Sequence, residues 1–128
     1  MDDRPRHVNP RILIVDDDPD ILEVMSIILS SSDFDTMTAK GGVEALHRLH
    51  DGPRPQLIIL DMMMPEMNGW AFRAEQLKDP SLADIPVILL TADGHASDKA
   101  KTIGAVACLK KPLEMEELLS TVARHCTH

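Results

Sequence analysis

The chain has 128 residues, 44% hydrophobic and 27% charged, which fits one globular domain and excludes disordered and collagen-like chains. Lys plus Arg number 13 against 21 Asp plus Glu, and the resulting net charge of −8 is the wrong sign for gripping nucleic acid or an anionic membrane. Aromatic residues make up only 2%, and no apolar run approaches the ~18 residues of a membrane span.

The opening stretch, residues 1–10, is polar and punctuated by proline, and is expected to be a flexible tail ahead of a domain over 11–126. The first strand is expected at Ile12 to Val15, a continuous aliphatic run of the kind buried on both faces. Asp18 and Pro19 then read as an N-cap and a first-turn proline, opening a helix whose apolar stripe is Ile21, Met25, Ile28 and Leu29. A weaker strand follows at Phe34 to Thr38. Gly41 and Gly42 open a second helix, with Val43, Leu46 and Leu49 as its stripe, and Asp51 to Pro55 breaks it. Leu57 to Leu60 is the third strand, and Gly69 to Lys78 the third helix, on which Trp70 and Phe72 are expected to pack inward. Val87 to Leu90 and Val106 to Leu109 are the last two strands, and Met115, Leu118, Leu119 and Val122 mark the final helix. Strand and helix alternate throughout, which predicts an α/β fold: a doubly wound, five-stranded parallel sheet with helices on both faces. Cys108 and Cys126 lack CxxC spacing and suit a reducing compartment, so a cytoplasmic location is expected.

In open parallel sheets the site lies outside the carboxyl ends of the strands. The first strand ends in Asp16, Asp17 and Asp18, the third in Asp61, the fourth in Thr91, and the fifth in Lys110 and Lys111 followed by Pro112. Parallel neighbours bring these groups to one edge. Carboxylates a few ångströms apart repel by roughly 4 kcal/mol per pair at an effective dielectric near 20, so the cluster needs a cation or raised pKa values. Oxygen donors without His or Cys favour Mg2+ over Zn2+. A single strand-end acid could simply cap the next helix; polar groups at four strand ends together are not explained that way.

The segments ILIVDDDPDI, LIILDMMMPEMNG, VILLTA and LKKP, in that order, resemble the receiver domain of two-component response regulators from Arg11 to about Cys126. The block Asp61 to Gly69, which reads D-x-x-M-P-x-M-x-G, is the most specific of them. The resemblance implies a flavodoxin-like strand order of 2-1-3-4-5. It implies Asp61 as phosphoacceptor, Asp16, Asp17 and Asp61 as the Mg2+ site together with the backbone carbonyl of Met63, and Thr91 and Lys111 as the groups that contact the phosphoryl oxygens. Lys111 would be placed by a cis peptide bond to Pro112, while Asp18 would not bind the metal. The implied partners are a sensor histidine kinase or a histidine phosphotransfer protein upstream and a protein target downstream, with no nucleic acid and no membrane. The chain would then be a stand-alone phosphoacceptor and not an enzyme that turns over. A phosphorylation-independent module with the same fold, or a receiver excised from a longer regulator or hybrid kinase, are the alternatives.

The match has departures. Receivers commonly place an aromatic residue three positions before the motif lysine, and Cys108 stands there, where it is expected to fill the end of a buried strand. Met63 and Asp93 occupy positions that tune phosphoryl lifetime in the family. Asp16, Asp18 and Asp20 mimic the start of a calcium loop, but Ile21 replaces its turn glycine and Ile27 its bidentate acid. A haloacid-dehalogenase-type phosphatase would want an acid where Met63 stands. His47 and His50 are expected on a solvated helix face, and Met62, Met63, Met64 and Met67 in loop packing.

Overall fold

A computed structural model describes residues 9–92 and 96–126. Elements alternate as β1 (Arg11–Val15), α1 (Pro19–Ser30), β2 (Asp35–Ala39), α2 (Gly42–Asp51), β3 (Leu57–Asp61), α3 (Gly69–Lys78), β4 (Val87–Thr91), α4 (Ala96–Ile103), β5 (Ala107–Lys110) and α5 (Met115–His125). The five strands form one parallel sheet in the order β2-β1-β3-β4-β5. Strand order reverses between β1 and β3, the point at which open parallel sheets form a crevice at the strands' C-terminal ends.

Alternation along each strand divides the core in two. Leu13, Val15, Ile58, Leu60, Val87 and Leu89 face Ala45 and Leu49 of α2, Phe72 of α3 and Ile103 of α4. Ile12, Ile14, Leu57, Ile59, Ile88 and Leu90 face Leu22, Met25 and Leu29 of α1 and Leu118 and Val122 of α5. β3 and β4 are buried along their whole length because they are central strands covered on both faces.

Local chemistry sets the helix starts near the crevice. Asp18 caps α1 by accepting from the Asp20 N–H at 2.9 Å, with Pro19 in the first turn. Asn68 caps α3 by accepting from the Ala71 N–H at 3.0 Å.

Several expectations are corrected. β2 runs from Asp35 to Ala39, one residue later than expected, and Phe34 belongs to the core beneath α1. The last strand begins at Ala107; Val106 is exposed, because β5 is a short edge strand. In α1, Leu22 is fully in the core while Ile21 and Ile28 flank it. Val43 and Trp70 are exposed for one shared reason. α2 buries Gly42, Ala45 and Leu49, and α3 buries Gly69, Phe72 and Gln76, the same spacing of three and four. The residue after each opening glycine therefore lies about 100° round the helix, away from the sheet. Met115 is also exposed, since it opens α5 ahead of its first buried turn.

Gln76 is a wholly buried polar side chain. Its amide donates to the Leu82 and Ile85 carbonyls at 2.9 and 3.0 Å, and its oxygen accepts from Arg73 Nη1 at 2.8 Å. Arg73 in turn donates from Nε to the Ile103 carbonyl at 3.0 Å, tying α3 to the end of α4. Gln76→Leu keeps the volume but orphans two carbonyls and part of a guanidinium. It is expected to lower the unfolding free energy by about 2–4 kcal/mol, read as a lower urea midpoint.

Candidate functional site

β1 and β3 deliver the acids. Asp16 follows β1 and is wholly buried, Asp61 is the last residue of β3 and 3% exposed, and Asp17 stands at the solvent side. One carboxylate oxygen from each of the three lies within 4.8 Å of the others. Among the described residues no other His, Cys, Asp and Glu side chains form such a group.

Hydrogen bonds fix two of the three. Asp16 Oδ1 accepts from the Asp18 N–H at 2.9 Å, and Asp61 Oδ1 accepts from the Met63 N–H at 3.3 Å. The Lys111 ammonium sits 3.1 Å from Asp16 Oδ2 and 3.6 Å from Asp61 Oδ2. Its contact with Asp16 Oδ2 is an ion pair without the direction of a hydrogen bond, so that buried oxygen keeps acceptor capacity. Lys111 is itself placed by the sheet edge: its N–H donates to the Thr91 carbonyl at 2.9 Å, and its bond to Pro112 is cis. Thr91 is buried at the end of β4, beside Asp61 at the end of β3.

The charges do not balance, since three carboxylates face one ammonium. Asp61 is pushed up from 3.8 to about 6, first by burial and then by Asp16, against the opposing pull of Lys111 and the Met63 N–H. Burial alone would pull the Lys111 ammonium down, but Asp16 and Asp61 outweigh it and hold its pKa above the usual lysine value. An all-oxygen donor set, an excess of negative charge and an open acceptor on buried Asp16 fit a hard divalent cation such as Mg2+.

Comparison with known proteins agrees with this arrangement. A family model described as the response regulator receiver domain matches residues 12–123. The chain belongs to that family. The receiver is 40% identical over 115 residues to the DNA-binding dual master transcriptional regulator RpaA of Synechocystis, covering 88% of this chain and 47% of that protein. It thus spans about half the length of the curated relatives it matches. Among solved structures it resembles the chemotaxis response regulator CheY4 of Vibrio cholerae, with 31% identity, a TM-score of 0.84, and coverage of 91% of this chain and 98% of that one. It also resembles the response regulator TrrA of Thermotoga maritima in complex with Mg2+-BeF, at 33% identity, a TM-score of 0.78, and coverage of 90% and 97%. The expected flavodoxin-like fold and strand order are those observed.

The receiver brings Asp16, Asp17, Asp61 and Lys111 together and sets Thr91 at the same sheet edge. Asp18 caps α1 instead of joining the cluster. Asp93 and the tail residues 1–8 lie outside the described residues. His47 and His50 are exposed, with His50 Nδ1 3.8 Å from Asp79. Met62 and Met64 are core residues, Met67 packs against the same core, and Met63 is 72% exposed. Cys108 is half-buried against the core on the α4 side. Gly69, which the sequence shows only as the end of the D-x-x-M-P-x-M-x-G block, shapes the site: its N–H donates to the Met62 carbonyl at 3.0 Å.

A raised acid pKa makes the folded receiver bind the Asp61 proton more tightly than the unfolded chain does. That contribution is fully present below pH 3.8 and is lost as pH rises through about 6. In chelator, Asp61→Asn should therefore be more stable than wild type above pH 6, by on the order of 1–3 kcal/mol, with the gap closing below about pH 4. Urea unfolding across that pH range, with and without Mg2+, measures it.

Proposed function

We propose that the receiver, over residues 11–126, takes a phosphoryl group from a phosphohistidine on a sensor kinase or phosphotransfer protein onto Asp61, and passes the signal on by protein contact. The observation that carries this reading is the Lys111 ammonium set between the buried carboxylates of Asp16 and Asp61, with Nζ 3.1 and 3.6 Å from them.

A carboxylate oxygen of Asp61 attacks phosphorus, an O–P bond forms, the N–P bond to the donor imidazole breaks, and that nitrogen leaves to take up a proton. The transfer depends on positioning and electrostatics more than on covalent assistance. The Met63 N–H holds Asp61 Oδ1, which orients the carboxylate about its terminal torsion. Lys111, in reach of Oδ2, offsets charge on the phosphoryl oxygens as they approach. The Thr91 hydroxyl, at the adjoining strand end, is the proposed donor to the transferred group. Asp16 and Asp17 are the residues that would hold Mg2+ beside Asp61, with the Met63 carbonyl as a further ligand. Bound there, the cation supplies charge neutralisation for the entering phosphate.

The product carries about −1.5 to −2 charge and strong acceptor oxygens, if it behaves as other protein phosphates do. Thr91 and Lys111 are the groups that would sense it, and both are tied to the β4–β5 edge through the Lys111 N–H and Thr91 carbonyl. A shift there biases an existing two-state equilibrium on the face formed by α4, β5 and α5. Cys108 stands on that face without an aromatic ring, so coupling runs through the strand edge and not through ring burial. The similarity to the CheY4 chain, matched over 98% of its length, supports signalling through the receiver fold, and the proposed setting is cytoplasmic. Among the described residues no helix is long and apolar enough to cross a membrane.

With Mg2+ and acetyl phosphate, intact mass should show one added phosphoryl group on wild type and none on Asp61→Asn. Equal labelling of the two proteins would remove Asp61 from the acceptor role. Cys108→Ala should label at the wild-type rate, and a large loss would contradict the packing role of Cys108.

A further inference from the structure

The loop between β3 and α3 carries four methionines, and two of their thioethers rest on glycines that open helices. A Cβ on Gly69 would lie 2.6 Å from Met62 Sδ, 3.1 Å from Met62 Cα and 3.3 Å from the Asp61 carbonyl oxygen. A Cβ on Gly42 would lie 2.6, 2.8 and 3.0 Å from Sδ, Cγ and Cβ of Met67. At both positions an added Cβ would force its neighbour to shift.

These seats grip the segment that aims Asp61. The Met62 N–H donates to the Leu90 carbonyl at 3.2 Å, the Met62 carbonyl accepts from the Gly69 N–H at 3.0 Å, and the Met63 N–H reaches Asp61 Oδ1 at 3.3 Å. Between the two seats the chain makes a tight turn. Glu66 has φ of 69°, a left-handed conformation uncommon outside glycine, and the Met67 N–H bonds the Pro65 carbonyl at 2.7 Å. Such a turn persists only where its surroundings over-determine it. Met62 on Gly69 and Met67 on Gly42 hold it from both sides.

We propose that Gly69 and Gly42, acting through Met62 and Met67, are positioning residues for phosphoryl transfer to Asp61: the first turns of α3 and α2 set the placement of the acceptor loop through two sulfur-on-glycine contacts. This inference rests on the reading of Asp61 as acceptor. The two seats differ in what they tolerate. Around Gly42 every close atom belongs to the Met67 side chain, which is unbranched and can swing aside. Around Gly69 two of the three are backbone atoms of the acceptor segment itself, so an added methyl displaces Asp61 and Met62 directly.

Misplacement of a reacting group by about 1 Å costs up to 100-fold in rate. With acetyl phosphate and Mg2+ both saturating, Gly69→Ala should label about tenfold or more slowly per folded molecule, and Gly42→Ala about threefold. Met67→Ala alone, which takes the thioether off Gly42 and leaves the glycine in place, should slow labelling by about the same factor. Urea unfolding of each variant gives the folded fraction separately, so a purely structural role would lower stability without lowering the saturated rate. Labelling of Gly69→Ala at the wild-type saturated rate overturns the proposal. Should Gly69→Ala not fold, the Gly42 seat decides: an unchanged saturated rate in either Gly42→Ala or Met67→Ala overturns it equally. Wild type that takes no label overturns the acceptor reading and this inference with it, whereas wild type that labels beside an unimpaired Gly69→Ala overturns this inference alone.

Discussion

Three carboxylates against one ammonium, at the carboxyl edge of a parallel sheet, is the constraint around which the receiver is arranged. At the 4.8 Å spread of Asp16, Asp17 and Asp61, each like-charge pair costs roughly 3–4 kcal/mol at an effective dielectric near 20. The burial of Asp16 and Asp61 prevents water from screening that repulsion. The fold compensates in part with Lys111 and with the Asp18 and Met63 amides, and burial first, with the Asp16 charge second, leaves the pKa of Asp61 raised. A site in that condition favours any ligand that brings positive charge.

Holding the acids at this spacing requires a rigid support. β3 and β4 are buried throughout, so the Asp61 main chain cannot shift sideways without opening both cores. Beyond Asp61 the chain leaves the sheet in a strained turn, and the restraint passes from strand hydrogen bonds to side-chain packing. Met62 and Met64 anchor the loop in the core, while α2 and α3 begin on glycines that admit Met67 and Met62. On the far side of α3, Arg73 and Gln76 bind α4 and the approach to β4 into the same layer. The site thus rests on one continuous block of sheet, loop and helix starts.

Legibility in the sequence followed physical dominance. β1, β3 and β4 were legible because central parallel strands require continuous aliphatic runs, and nothing else in a chain this short uses them. The helix faces were less legible: Val43 and Met115 extend apolar stripes by spacing and Trp70 stands beside Phe72 at the start of α3, yet all three are exposed because the sheet covers only part of each helix. Val106 continues an aliphatic run that an edge strand has no need to bury. Gln76, of a residue type mostly found exposed, is wholly buried, since its partners are backbone carbonyls of Leu82 and Ile85, which no side-chain pattern announces.

The sequence by itself determined the alternation of elements, the parallel sheet and the identity of the groups at its carboxyl edge, because each depends on residues adjacent in the chain. Only the tertiary structure decided which of those groups meet. Asp16 and Asp17 differ by one position, yet one is buried against Lys111 while the other faces solvent, since side chains alternate where the chain leaves β1. Asp18 turns to cap α1. The two methionine seats likewise join residues from separate elements, at distances that no local pattern encodes, because close packing is set by where whole helices come to rest on the sheet.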